Sequence, residues 1–137
     1  MYRSTAAIGS AIQHLRQFPE ANRDPILIHA ITELETARSI LVHRWQIRSS
    51  IHWNSSPARI KFSTTQRYNG FVFDANWSLH SGGIALNNFV DLVGIAGDRQ
   101  ERWCDIIKSL NFASSWLNRD FGNEATFKQL TLAINLN

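Results

Sequence analysis

Residues Arg59 to Leu79 read RIKFSTTQRYNGFVFDANWSL. Ile60 and Phe62 alternate with Arg59, Lys61 and Ser63, and Tyr68-Asn69-Gly70 is a turn signal. Beyond it Phe71, Phe73, Ala75, Trp77 and Leu79 alternate with Val72, Asp74, Asn76, Ser78 and His80. Period two over nine residues is the signature of a half-buried strand. The stretch therefore predicts an antiparallel hairpin, Arg59–Arg67 paired with Gly70–Leu79, with room for a short third strand at Ile51–Trp53. An isolated hairpin is marginal in water, so its apolar face must pack on helices.

The flanking segments supply those helices. From Ser4, a candidate N-cap, Ile8, Ala11, Ile12, Leu15 and Phe18 form one helical stripe that stops at Pro19. Asp24-Pro25 is an N-cap followed by proline at the first helical position, opening a helix to about Arg48. Leu27, Ile31, Leu34, Leu41, Val42 and Trp45 share one sector of it, while Ile40 and Ile47 lie opposite, as on a central or interface helix. Ser81-Gly82-Gly83 reads as a hinge. Ile84–Ala96 reads as a helix closed by Gly97. Asp98 and Glu101 resemble a capping box before a helix over Arg99–Leu117, and Glu124–Leu136 makes a last helix. The expected fold is α+β and helix-dominant: about five helices and one hairpin in a single domain over residues 1–137. The alternative is an all-α bundle with a long ordered crossover, since arginine, threonine and aromatic residues also populate extended loops.

A chain of 137 residues with 44% hydrophobic residues can bury a core without disulfides or metals. The single cysteine, Cys104, excludes an intramolecular disulfide and a Cys-rich zinc site. The N-terminal segment lacks the apolar core of a signal peptide, and no apolar run approaches the length of a membrane span. The expectation is a soluble, cytoplasmic or otherwise intracellular chain that contacts no membrane.

Charge is unevenly distributed. Residues 1–67 carry nine bases and four acids, residues 68–137 five bases and seven acids. No acid occurs between Thr36 and Phe73, a window with six bases and with Trp45, Trp53 and Tyr68. Eleven of the fourteen bases are arginine, whose planar fork suits phosphate and stacking. Cations interleaved with aromatics are what an unpaired nucleic acid strand requires. Arg38, Arg44, Arg48, Trp53, Arg59, Lys61 and Arg67 are thus the candidate nucleic-acid-binding residues. Arg44 and Arg48 are expected to reach solvent side by side, and Arg59 and Lys61 to share a strand face. Arg38 falls inside the apolar sector, where a guanidinium faces a cleft, pairs with an acid such as Glu35, or snorkels past Trp45.

The leading expectation is a non-enzymatic binding subunit that holds RNA or single-stranded DNA within a larger complex. The alternative is a protein-interaction, accessory or inhibitor module that forms an oligomer. A third reading comes from the pair Arg38 and His43. Their Arg-x4-His spacing is similar to the Arg-x4–6-His arrangement of helical ribonucleases of the HEPN class. That similarity implies metal-independent RNA cleavage, with His43 activating a ribose hydroxyl and Arg38 stabilising the phosphate. Ser39 departs from the Asn, Asp or His usual there, and His43 projects about 140° around the helix from Arg38. Histidines 14, 29, 43, 52 and 80 form no metal-ligand spacing, no serine has a nucleophile-elbow context, and Ser81-Gly82-Gly83 lacks the lysine of a phosphate loop. The sequence assigns no catalytic residue, metal or cofactor. Trp45, Trp77, Trp103 and Trp116 read as core or interface.

Overall fold

The computed structural model of the chain describes residues 2–53, 57–95 and 97–121, with side chains described mainly over 2–46, 74–95 and 99–117. These residues form four α-helices: α1 (Arg3–Arg16), α2 (Pro25–Trp53), α3 (Pro57–Val93) and α4 (Asp98–Phe121). A short 3-10 turn, Pro19–Asn22, lies between α1 and α2. Helices α2 and α3, of 29 and 37 residues, are about 44 and 55 Å long at 1.5 Å per residue. α1 packs between α2 and α4, α2 packs along α3, and α3 meets α4 more sparsely. The apolar residues of all four helices merge into one core.

The predicted hairpin is overturned. No strand occurs among the described residues, and both of its arms, 59–67 and 70–79, run inside α3. Residues 51–53, read as a further strand, are the last of α2. The all-helical alternative matches the described architecture in class, but residues 59–79 are helical rather than an ordered crossover. The physical reason lies in two overlapping periods. Positions i and i+4 share a face in a strand and in a helix alike. Ala75 and Leu79 are therefore buried under either reading, and the residue between them decides. Trp77 is 68% exposed, whereas Ser78 and Gly82 are buried, Gly82 against Ala30 and Leu34 of α2. An apolar Trp77 at the exposed position imitated a period of two.

The hinge at residues 81–83 is also overturned. Gly82 and Gly83 are buried within α3. A Cβ on Gly82 would stand 3.0 and 3.1 Å from the Leu34 Cδ2 and Cγ and 3.4 Å from the Ala30 carbonyl oxygen. Glycine here lets α2 and α3 approach closely, which offsets its helix cost of about 1 kcal/mol.

Other boundaries follow local chemistry. Phe18 is extended before Pro19, as a residue preceding proline should be. The Ile26 and Leu27 amides donate to Asp24 Oδ1 at 2.9 and 3.2 Å, capping α2. Helix α1 starts one residue before Ser4; Tyr2 precedes it in an extended conformation, and Ser4 is buried inside. Helix α3 ends at Val93 rather than residue 96, because Gly94 already takes a positive φ of 69°. Gly97 is also left-handed, at 64°, and Ile95 is buried in the core. At this end Phe18 stacks on Phe89 and Trp103, with ring centroids 6.5 and 6.4 Å apart. Arg99 of α4 pairs with Glu20 at 2.7 Å, tying α4 to the α1–α2 connection. The last predicted helix, residues 124–136, lies outside the described residues.

Candidate functional site

The seam between α1 and α2 opens into a cleft of about 540 Å³. Antiparallel packing sets Thr5, Gly9, Ser10, Gln13 and Arg16 of α1 against Glu35, Arg38 and Ser39 of α2. Recurrence at three and four residues keeps these residues along the cleft, Thr5 buried at one end of it, while Ile8, Leu15, Leu34 and Leu41 belong to the core. Arg38 is exposed and lies across Gly9; a Cβ on Gly9 would come within 3.3 Å of its Nε. The missing side chain on α1 is what leaves room for the guanidinium.

Partners are already assigned to part of this lining. Arg16 and Glu35 form an ion pair across the seam, with side chains about half exposed. No carboxylate among the described residues, Glu35 included, pairs with Arg38. Thr5 is fully buried, and its Oγ1 has no hydrogen-bond partner. The lining is rich in donors and carries one acid, which Arg16 neutralises. Such a surface receives an anion flanked by hydroxyl or amide groups.

On the far side of α1, Arg3 stands over the Trp116 ring at 4.5 Å. Lys108 and Phe112 of α4 line a shallower trough there that shares Ala6 and Ser10 with the first cleft. The outward ridge of α1 is thus made of small residues with cations on both flanks.

Of the predicted surface, Arg38 is exposed on the cleft. Arg44 is not on the surface at all: it is 1% exposed, a correction to its expected position at the solvent edge. It donates to the Tyr2 hydroxyl and lies 5.6 Å from the centre of that ring. Arg48 and Trp53 belong to α2, and Arg59, Lys61 and Arg67 to α3, but their side chains lie outside the described ones. Helix geometry removes one expected juxtaposition, since positions 59 and 61 stand about 200° apart around an axis instead of sharing a strand face. His43 is exposed but does not line the cleft, in keeping with its 140° offset from Arg38. Trp103 is fully buried, whereas Trp45 is 38% exposed and Trp77 more so.

Sequence reasoning missed Thr5, Gly9, Ser10, Gln13 and Ser39. Their only signal was a recurrence of small and polar residues along α1, with Ser39 on α2, which means nothing until the two helices are placed side by side. Among the described residues no three His, Cys, Asp or Glu side chains gather as a metal site. No helix of the described residues is long and apolar enough to cross a membrane. Comparison of the chain with protein-family profiles, with curated proteins and with solved structures finds no match.

Proposed function

We propose that this chain is a non-enzymatic binding protein for single-stranded RNA or DNA, and that Arg38 in the α1/α2 cleft is its anchoring phosphate contact. One observation carries the reading: an exposed guanidinium without a carboxylate partner among the described residues, on the lip of a donor-lined cleft. The acid-free window from residue 36 to 73 extends the positive character along α2 and into α3. Arg3 and Lys108 add cations along the same ridge. The test is a salt titration of oligonucleotide binding. Affinity should fall steeply between about 50 and 200 mM salt, with a slope near 0.7 per phosphate neutralised on a single strand. Arg38→Glu should weaken binding and lower the slope while leaving the circular dichroism spectrum unchanged. Binding that ignores both salt and Arg38→Glu defeats the proposal.

A second reading, the protein-interaction module, is favoured by α3. Trp77 and Ile84, seven residues apart and 68% and 51% exposed, lie on its outward side. Sedimentation velocity on the wild-type chain and on Trp77→Ser tests it. Self-association abolished by the substitution supports an oligomeric module; a wild-type monomer at every concentration removes that form of the reading.

A further inference from the structure

We infer that the α1/α2 cleft is a mononucleotide subsite, holding one nucleoside phosphate unit with its phosphate on Arg38. The inference rests on the polynucleotide reading above and specifies what that site takes. Size is the first argument. A cleft of about 540 Å³ is several times larger than a bare phosphate needs and falls within the range of small-molecule sites, roughly 300–1,000 Å³.

Charge is the second. Arg16 and Glu35 cancel one another, so Arg38 supplies one net positive charge to the lining. A phosphate chain running through the cleft would bring one negative charge per nucleotide, and only one of them would be met. The cleft thus matches a single phosphate.

Donor chemistry is the third. The guanidinium fork suits two phosphate oxygens. Ser10, Ser39 and the Gln13 carboxamide are left for the sugar hydroxyls and the edge of a base, and none of them has a hydrogen-bond partner among the described residues. The Thr5 hydroxyl, buried and without a partner, borders the same space. A buried hydroxyl in that state gains a partner when a polar ligand enters.

Isothermal titration of the full chain with adenosine 5′-monophosphate, adenosine and inorganic phosphate tests the inference. The nucleotide should bind more tightly than either fragment. Arg38→Gln should weaken nucleotide binding about 10–100-fold, the range for a hydrogen bond to a charged group. Gly9→Leu should abolish it by filling the cleft beneath Arg38, with the net charge unchanged. Circular dichroism verifies folding of both variants, and Arg38→Gln, at an exposed position, carries the test if Gly9→Leu does not fold. Equal affinity for inorganic phosphate and nucleotide overturns the subsite in favour of a simple anion site. Equal affinity for adenosine and nucleotide overturns the role of Arg38, as does an unchanged Arg38→Gln. Oligonucleotide binding that depends on Arg38, with no nucleotide binding, overturns the inference and leaves the proposed function standing. Absence of both removes the two together.

Discussion

Arg38 and Arg44 lie six residues apart on α2 and both face α1, yet one is open to solvent and the other is sealed. The difference is made by the N-terminal segment, α1 and the residue before it. At Arg44 the neighbour is Tyr2, whose ring covers the guanidinium and whose hydroxyl accepts its hydrogen bond. At Arg38 the neighbour is Gly9, which covers nothing. One seam therefore contains a structural arginine and an available one. Arginine density along the chain does not separate them, because burial depends on the side chain across the seam.

The largest test of this contrast is a charge reversal. Arg44→Glu should destabilise the protein by about 3–5 kcal/mol, as expected when a buried charge is set against partners arranged for the opposite sign. Chemical denaturation measures it, and a loss below about 1 kcal/mol would mean that the Tyr2 end is not closed. Leu34→Ala, in the seam between α2 and α3, should cost about 2–5 kcal/mol by opening a cavity. The same denaturation experiment reads it, and a small effect would show that this seam, too, is loose. Tyr2→Phe keeps the ring over Arg44 and removes the acceptor, for an expected cost of about 1.5–3 kcal/mol. If Tyr2→Phe is neutral while Tyr2→Ala is not, the ring alone closes the site.

A further prediction concerns pH. Burial tends to raise the Glu20 pKa, but its hydrogen bond to Arg99, its own backbone and the charges of Arg99 and Arg23 outweigh this and hold it below the usual carboxylate range. A lowered folded-state value means that the ionised form stabilises the fold. That contribution is complete above the ordinary glutamate range and disappears as pH falls through the folded-state value. Glu20→Gln should flatten the acid limb of the stability profile; an identical acid limb in the variant would show that the Arg99 pair does not hold the α1–α2 connection to α4. The smallest stability effect belongs to Arg38→Gln, within about 0.5 kcal/mol, since the side chain is exposed and has no ion-pair partner among the described residues. A larger loss would place Arg38 with Arg44 among the structural residues.

The helix stripes were legible from residue spacing alone. Ile8, Ala11, Ile12, Leu15 and Phe18 are buried as their periodicity requires, and so are Trp103, Ile106, Ile107, Leu110 and Leu117. The Asp24 cap was legible because its chemistry is local: one carboxylate and the two amides that follow. The stretch 59–79 was not, because Asn69-Gly70 carries a turn signal and Trp77 stands where a strand would want an apolar residue. Packing along α2 outweighs local preferences worth only about 1 kcal/mol per residue. Gly82 was misread for a related reason: a glycine that admits a neighbouring helix looks, in one dimension, like a glycine that bends the chain.

By itself, the sequence determined where most helical stripes fall, how α2 begins and where positive charge accumulates. These depend on periodicity, on contacts within one turn and on composition, all of which act over a few residues. Only the tertiary structure decided that α3 is one helix, that Gly82 is a contact and that Arg38 rather than Arg44 is available. Each of those outcomes depends on the size of a side chain brought alongside from elsewhere in the chain: Leu34 against Gly82, Tyr2 against Arg44 and Gly9 against Arg38. Close packing makes that size decisive, since an interior filled to crystal density leaves a polar group exposed only where its neighbour is small.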